Sequence, residues 1–240
     1  LDEEQERNLQ IDPLRHKEYL YRFFEGTFPD SFARGELYNY DPISLDARSC
    51  GTTASLCGIE KGGFEGDDWQ KEQGIQRVLM MHAACMSLKG FMMLSSGDEI
   101  GQVNDYGYKN NPDVAADSRY LHRSPFNWEN AELRRKKGTV QNEIWRGLKK
   151  MEQIRRQNPC FRNEANVTTW DTCQMSVFAI RRTFKEKELI CIANFSGEGK
   201  MACLPTLDAQ YEDLFRKERV SMQSVWMAPY QYRWCVRKSE

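Results

Sequence analysis

The chain of 240 residues carries a net charge of −1, and 40% of its residues are hydrophobic, enough for one large domain or two modest ones. This near-neutral balance gives no general attraction to nucleic acid or to anionic lipid. No apolar run approaches the length that spans a membrane, so we expect a cytoplasmic protein with no membrane or nucleic-acid partner.

Eight cysteines lie mostly within apolar runs and form no CxxC pair. This usage favours buried, reduced thiols over a disulfide framework. The three histidines, His16, His82 and His122, are scattered without the HxxxH spacing that a zinc site would need. The sequence therefore predicts neither a metal nor another cofactor.

The first 60 residues are predicted to contain little regular structure. Residues 1–12 are acidic and polar and read as a solvated segment, and a short amphipathic helix is expected from Pro13 to about Gly26. Residues 28–42 follow as an ordered loop rich in aromatic and turn residues. Such a loop would suit a sugar, whose C–H faces stack on aromatic rings and whose hydroxyls need polar partners. The alternative is a loop held by its own aromatic cluster.

The middle of the chain shows a helix–strand–loop–helix pattern. A helix capped at Thr52 or Thr53 is followed by one with apolar residues at spacings of three and four from Trp69 to Leu88. Phe91–Leu94 is short and apolar on both faces, which is typical of a buried parallel strand. The charged loop 97–123 leads to a helix over 139–157. This order is the repeat of a β/α barrel.

After Phe161 the apolar period changes from helical to alternating. Seven short strands at regular spacing predict a small antiparallel sandwich, with a domain boundary near 157–165 and a hairpin turn at 185–188. The predicted strands are Val167–Trp170, Met175–Thr183, Leu189–Phe195, Met201–Leu204, Tyr211–Phe215, Val225–Met227 and Tyr232–Val236. The fold class is therefore α/β plus all-β, a TIM-barrel part followed by a sandwich.

Several motifs in fixed order resemble the amylosucrase and sucrose hydrolase branch of glycoside hydrolase family 13, the α-amylase family. The resemblance covers almost the whole chain and rests on Arg22-Phe23-Phe24, Ser31-Phe32-Ala33-Arg34-Gly35, Gly51-Thr52-Thr53-Ala54-Ser55-Leu56, Gly97-Asp98-Glu99-Ile100-Gly101, Asn104-Asp105, Asp117-Ser118-Arg119-Tyr120-Leu121-His122-Arg123, Gln157-Asn158-Pro159 and Ala228-Pro229-Tyr230-Gln231. Together these motifs are specific, whereas any one of them alone would be weak.

The resemblance implies the C-terminal portion of a (β/α)8 barrel enzyme. Residues 1–160 would form the last part of the barrel. They would contain the excursion after the seventh strand (about 1–60), the seventh helix, the eighth strand and the eighth helix. Residues 161–240 would form the sandwich. The family's retaining mechanism uses a carboxylate nucleophile and a carboxylic acid, both from earlier barrel strands. It also uses a His-Asp-Asp motif that follows the seventh strand. No His-Asp pair occurs in this chain. The resemblance implies a sucrose-cleaving parent enzyme, with no catalytic residue present here and no activity of the chain alone.

The same resemblance implies a set of substrate-binding residues. Arg119, with Asp117 beside it, would lie at the floor of a glucose pocket and pair with an aspartate from outside this chain, so that alone it would be an uncompensated charge. The outer sugar sites would be lined by Lys17, Tyr19, Asn39 and Arg48, three of which differ in type from the family's residues. Asp98 and Glu99 are expected to be structural, because neighbours in an extended segment point to opposite faces.

Two further hypotheses remain open at this stage. The chain can instead be a non-catalytic carbohydrate-binding or regulatory module that uses its sandwich and aromatic loop. Such a module would bind a glucan or a partner, whereas the implied enzyme would bind sucrose or an α-glucan when completed by the N-terminal part of the barrel. A partial barrel would also leave strand edges and an apolar face uncovered, which predicts self-association or dependence on a partner chain.

Overall fold

The computed structural model describes residues 2–206 and 210–238, and the remaining residues of the predicted sandwich, 207–209 and 239–240, lie outside that range. The chain divides into two compact units, one formed by the residues up to Ile75 with Ser96–Leu133, the other by Gln76–Ser95 with the residues from Arg134 onward. This division differs from the predicted boundary near residue 160. The assignment of 1–160 to a barrel and of 161–240 to a sandwich stays a prediction.

The predicted helices form where the sequence carries their capping signals. The helices are α1 (Glu3–Asn8), α2 (Pro13–Glu25), α3 (Thr53–Leu56), α4 (Ile59–Glu65), α5 (Asp68–Ser87), α6 (Trp128–Glu132) and α7 (Val140–Gln157). Of these, α2, α3, α5 and α7 were predicted, whereas α1, α4 and α6 were not. Asp12 caps α2 by accepting from the backbone of Leu14 at 2.9 Å, Pro13 occupies its first turn, and Gly26 ends it at a φ of +91°. Thr52 and Thr139 cap α3 and α7 in the same way.

The acidic N-terminal segment is exposed apart from Glu6, as predicted for a solvated stretch, but it forms a helix that was not predicted. Asp2 caps α1 through the backbone of Gln5 at 3.1 Å, and the glutamates of the first turn lie at the positive end of the helix dipole. Glu6 is buried, and its Oε1 lies 3.0 Å from Nδ1 of His16 on α2. This buried contact ties the short helix to its neighbour.

The predicted aromatic loop contains an antiparallel hairpin. Strands β1 (Glu36–Asp41) and β2 (Asp46–Cys50) pair in register from Glu36 opposite Cys50 to Tyr38 opposite Arg48, with a register shift beyond Tyr38. At the turn, the carboxylate of Asp41 accepts from the backbone of Ile43 at 2.9 Å. The hairpin was missed because its strands are short and mostly polar.

The segment Phe91–Leu94 is not a buried strand, and that prediction was wrong. It forms no strand pair in residues 2–206 and 210–238, and Phe91 and Met93 are 94% and 88% exposed. A buried parallel strand needs hydrogen-bonded neighbours and packed layers on its faces. The described residues provide no such strand for this segment, and they form no closed barrel.

The C-terminal strands form two antiparallel sheets that share one core, as predicted for a sandwich. Six strands pair in the order β3-β4-β5-β10-β7-β8, and β6 pairs with β9. The strands are β3 (Asn166–Trp170), β4 (Val177–Phe184), β5 (Lys187–Asn194), β6 (Lys200–Ala202), β7 (Gln210–Asp213), β8 (Arg219–Ser221), β9 (Val225–Met227) and β10 (Tyr232–Arg237). The hairpin turn predicted at residues 185–188 is confirmed, but it is confined to residues 185–186 because Lys187 and Glu188 belong to β5. Strand β8 was not predicted.

The core of this second unit lies between the two sheets. Ile190 and Ile192 of the central strand β5 pack with Ala202 of β6 and with Val225 and Met227 of β9, all essentially buried. On the other side of the large sheet, the ring of Trp234 contacts Phe161 with centroids 4.6 Å apart. Strand β5 is therefore buried on both faces, which explains its nearly continuous apolar sequence.

All eight cysteines are free thiols. Four are buried, whereas Cys85, Cys173 and Cys203 are exposed, so the expectation of buried thiols holds only in part. Among the described residues, no helix is long and apolar enough to cross a membrane.

Candidate functional site

The predicted pocket residue Arg119 forms a bidentate ion pair with Asp117. Nε of Arg119 donates to the two carboxylate oxygens of Asp117 at 2.8 and 3.1 Å, and Nη2 donates to Oδ2 at 2.6 Å. Such a fork-to-fork geometry fixes the plane of the guanidinium. The expectation that Arg119 would be an uncompensated charge is wrong for this structure, because Asp117 supplies the partner.

Local backbone structure holds this pair in place. Asp117 is the N-cap of the 3₁₀ helix Ser118–His122, and its Oδ1 accepts from the backbone N–H of Arg119 at 3.0 Å. Ser118 donates its hydroxyl to the carbonyl of Leu37 on β1 at 2.7 Å. The segment that carries Asp117 and Arg119 is thereby attached to the β1–β2 hairpin.

The hairpin contributes an aromatic ring to the same group. The guanidinium carbon of Arg119 lies 4.5 Å from the ring centroid of Tyr38, a cation–π distance. Arg48, predicted to position a sugar, is exposed and is paired in register with Tyr38 across the hairpin. Tyr38 was not among the predicted site residues, since only the hairpin register reveals that it meets Arg119.

Asn39 lies next to Tyr38, at the irregular part of the hairpin. Its φ of +52° is in the left-handed region, which asparagine tolerates better than most residues, and its side chain is exposed. The register shift between Tyr38 and Asp41 begins here. The structure thus brings Asp117, Arg119 and Arg48 to one hairpin, with Asn39 at its bulge.

Lys17 and Tyr19 on α2 belong to the same unit but have other partners. Nζ of Lys17 lies 3.4 Å from Oε1 of Glu3, and the ring of Tyr19 contacts that of Phe28 edge-on at 5.1 Å. In the part of the chain that the structure describes, neither residue forms a hydrogen bond, ion pair or ring contact with Asp117 or Arg119. The two predicted outer-site residues are therefore not brought to the pair.

The ion pair determines the charge state of both side chains. Hydrogen bonding to Arg119 lowers the pKa of Asp117 to about 2, and the same carboxylate raises the pKa of Arg119 above its usual value. A carboxylate held ionised in this way cannot donate a proton near neutral pH. The geometry is suited to binding hydroxyls rather than to acid–base chemistry.

A buried polar network stabilises the frame of this unit. Glu60 is 3% exposed, accepts the hydroxyl proton of Ser55, and accepts from the hydroxyl of Tyr106 at 2.8 Å. Ser55 in turn accepts from the backbone of Asn104 at 2.9 Å, and the side chain of Asn104 accepts from the backbone of Thr52 at 2.8 Å. Two of the sequence motifs, Gly51–Leu56 and Asn104-Asp105, therefore meet around one carboxylate.

The role of Glu60 was not predicted, although it lies only four residues after the Gly51–Leu56 motif. A glutamate between an apolar residue and a lysine gives no sequence signal of burial. Its partners Ser55 and Tyr106 are 5 and 46 residues away along the chain. In the described ranges no group of three or more His, Cys, Asp or Glu side chains is arranged to hold a metal.

Comparison with solved structures identifies the fold. No family model matches the sequence. A variant of AmyP in complex with maltotriose matches with a TM-score of 0.56 at 14% identity, over 70% of this chain and 35% of that one. A variant of the trehalulose synthase MutB in complex with its substrate sucrose matches with a TM-score of 0.53 at 16% identity, over 67% and 38%. The chain has the fold of α-amylase family enzymes.

A third match agrees with this assignment. The trehalose-6-phosphate hydrolase TreA from Bacillus licheniformis gives a TM-score of 0.51 at 19% identity, over 68% of this chain and 39% of that one. These proteins belong to glycoside hydrolase family 13, the family that the sequence resembles. The chain spans between about a third and two fifths of their length, consistent with a C-terminal portion.

Proposed function

We propose that this chain is the C-terminal portion of a retaining, sucrose-cleaving enzyme that acts on α-glucosides. In the intact enzyme a glucosyl–enzyme intermediate would form as fructose leaves, and water or a glucan hydroxyl would then attack it. The catalytic carboxylates of such an enzyme would come from barrel strands outside this chain. The chain alone would therefore hold part of the sugar pocket and would be inactive.

The Asp117–Arg119 pair next to Tyr38 is the observation that carries this proposal. A fixed guanidinium beside an aromatic face offers donors to sugar hydroxyls and a surface for the C–H face of a pyranose ring. We assign Arg119 to the glucose end of the substrate and Asp117 to holding Arg119 in position. The complexes of AmyP with maltotriose and of MutB with sucrose support a carbohydrate ligand.

The other predicted residues would line the outer part of the pocket. Arg48 and Asn39 on the hairpin would position the incoming or leaving sugar, since both are exposed beside Tyr38. Lys17 and Tyr19 would contact more distant sugar units from α2. Three of these four differ in type from the family's residues, so sucrose recognition is better supported than transfer to a growing glucan.

We further propose that residues 1–160 complete a barrel with strands outside this chain, followed by the sandwich at 161–240. The exposed, unpaired segment Phe91–Leu94 supports this assignment, because a barrel strand without its neighbours would expose its apolar side chains and backbone. The partner would be the N-terminal part of the barrel. Without it, the segment would favour self-association.

A second candidate function, a carbohydrate-binding module, is favoured by Trp226. This residue is 55% exposed on β9, directly opposite Met201 of β6, which is 46% exposed. Its indole packs closely against Gly199, where an added Cβ would be 2.2 Å from the ring. An exposed indole of fixed orientation can stack on a sugar, and in this alternative it would bind an α-glucan without any catalysis.

Two measurements separate these functions. The coding sequence upstream of Leu1 tests the leading proposal: a His-Asp-Asp motif a few codons before it, preceded by carboxylate-bearing barrel strands, is the expected result. Isothermal titration of the 240-residue chain with sucrose and maltooligosaccharides tests the alternative. Millimolar or tighter binding of maltooligosaccharides that Trp226→Ala abolishes would favour the module and count against the leading proposal.

A further inference from the structure

Positive charge is concentrated in one segment of this otherwise neutral chain. Residues 134–156 contain nine lysines and arginines but only two glutamates, a net charge of +7 in a chain whose net charge is −1. The rest of the chain therefore carries a net charge of −8, and only the sum of the two parts is close to neutral. Charge separated to this degree creates a local positive potential that attracts anions.

Part of this charge lines a surface groove along α7. Arg146, Lys149, Lys150 and Gln153 are three or four residues apart, so they lie on one face of the helix. Together with Glu143, Gly147 and Leu79 they line a groove of about 590 Å³. A side chain at Gly147 would place its Cβ 2.5 Å from Leu79, so glycine allows the close approach that forms the groove floor.

In the described part of the chain, the three cations of the groove are not paired with a carboxylate, although Glu143 lies in the same lining. Within residues 2–206 and 210–238, Arg146, Lys149 and Lys150 form no ion pair or hydrogen bond, and all three are exposed. Like charges three and four residues apart destabilise a helix. A bound anion would remove that repulsion.

We propose that this groove binds the phosphate monoester of a sugar, with the three cations on the phosphate and Glu143 and Gln153 on its hydroxyls. A carboxylate in the same groove as three cations would repel a continuous polyanion, but it can accept hydrogen bonds from sugar hydroxyls beside a single phosphate. Single-stranded nucleic acid is bound on aromatic stacking platforms, and the described lining of the groove contains no aromatic side chain.

The inference does not depend on the proposed sucrose chemistry, because it rests on charge and groove shape alone. Loss of binding here would leave the Asp117–Arg119 assignment untouched, and failure of that assignment would leave this groove untouched. The phosphate could belong to a free sugar phosphate or to a phosphorylated polysaccharide, which share the recognised chemistry.

The test is isothermal titration of the 240-residue chain at low ionic strength with glucose 6-phosphate, glucose and inorganic phosphate. Glucose 6-phosphate should bind, glucose should not, and inorganic phosphate should bind at least threefold more weakly than glucose 6-phosphate. The triple variant Arg146→Gln, Lys149→Gln, Lys150→Gln should bind about tenfold more weakly, as expected for the loss of three exposed charge contacts. Glutamine preserves helix propensity, so α7 should persist.

A matched control carries the same change of charge elsewhere in the same unit. Lys89→Gln, Lys187→Gln, Arg216→Gln alters three exposed cations outside the groove and should leave binding within twofold. An equal loss of glucose 6-phosphate binding in both triple variants would indicate a general effect of charge and would overturn the proposed site. The single variants Lys149→Gln and Lys150→Gln give a second, milder test, each with about a two- to threefold loss expected.

Two further ligands, amylopectin and poly(U) RNA, complete the test. Amylopectin shows whether the phosphate belongs to a polysaccharide or to a free sugar, and poly(U) RNA tests nucleic acid as the competing class of ligand. Tighter binding of phosphorylated than of dephosphorylated amylopectin, lost in the groove variant, would identify a polysaccharide phosphate. Equal binding of the two polymers alongside binding of glucose 6-phosphate would identify a free sugar phosphate. Binding of poly(U) RNA more tightly than either sugar ligand, or inorganic phosphate binding as well as glucose 6-phosphate, would overturn the proposal.

Discussion

The guanidinium of Arg119 is held by the carboxylate of Asp117, two residues earlier in the chain, through three hydrogen bonds of 2.6 to 3.1 Å. Asp117 also caps the short 3₁₀ helix that carries Arg119. One carboxylate therefore orients both the side chain and the backbone of its partner. A guanidinium fixed in this way is prepared for a ligand at no further cost in side-chain entropy.

The first prediction concerns the pH dependence of this pair. Because hydrogen bonding to Arg119 lowers the pKa of Asp117 from its usual 3.8 to about 2, its contribution to stability is fully present above about pH 4. That contribution should be lost as the pH falls through the folded-state pKa. Unfolding measured for the wild type and for Asp117→Asn should differ near pH 5, and the difference should shrink towards pH 2 and vanish below it. A difference that is constant with pH would contradict the ion pair.

The second prediction concerns the buried glutamate of the same unit. Glu60→Ala removes the acceptor of the Ser55 and Tyr106 hydroxyls, leaving buried polar groups without partners. We expect a loss of about 2–4 kcal/mol in the free energy of unfolding. Glu65→Ala at the exposed end of the same helix is the control and should change it by less than about 0.5 kcal/mol. Equal effects in urea denaturation would show that the network does not stabilise the unit.

The third prediction uses two adjacent glycines of α4. An added Cβ at Gly62 would lie 2.6 Å from the backbone nitrogen of Lys71, whereas one at Gly63 would meet nothing within 4 Å. Gly62→Ala should therefore destabilise the protein by about 1–3 kcal/mol through overpacking. Gly63→Ala should stabilise it by about 0.5–1 kcal/mol, because alanine has the higher helix propensity.

Thermal melts of both glycine variants check this prediction. Opposite shifts in Tm are expected, and shifts of the same sign would contradict the close packing of Gly62 against Lys71.

The fourth prediction concerns a fully buried arginine in the sheet unit. Arg182 on β4 donates to the carbonyls of Ser87 and Cys160, each at 2.7 Å, and to that of Arg162 at 3.2 Å. Arg182→Met should cost about 2–4 kcal/mol, because these carbonyls lose their donor. Arg156→Met, whose side chain is 79% exposed, should cost less than about 1 kcal/mol. A smaller cost for Arg182→Met than for Arg156→Met would refute this role.

Sequence periodicity predicted the long helices and most of the sandwich. Helices α2, α5 and α7 and strand β9 carry either an apolar stripe or alternation, and local capping residues such as Asp12 and Thr139 mark where two of the helices begin. These signals are local, so one sequence is enough to read them.

The predictions that failed share one physical cause: the structure of these segments depends on residues that are distant in the sequence. Phe91–Leu94 reads as a buried strand, but burial requires neighbouring strands that the described residues do not provide. The β1–β2 hairpin is stabilised by cross-strand pairs such as Tyr38 with Arg48, which no local pattern displays.

The candidate site was predicted only in part for the same reason. Arg119 and Asp117 entered through a family resemblance, whereas the contact of Arg119 with Tyr38 depends on the hairpin register, across about 80 residues of chain. The sequence around Glu60 contains no feature that predicts the burial of this charged residue. Contacts between residues that are distant in the sequence cannot be predicted until the fold is known.

The release of fructose from sucrose by the purified 240-residue chain tests the central claim most directly. The chain would hold a sugar-binding ion pair but no catalytic carboxylates, so no fructose should appear above the rate without protein. Arg119→Met, which removes the guanidinium but keeps a long side chain, should give the same blank result. Turnover by the wild-type chain that Arg119→Met abolishes would contradict the account and would show a complete active site within these residues.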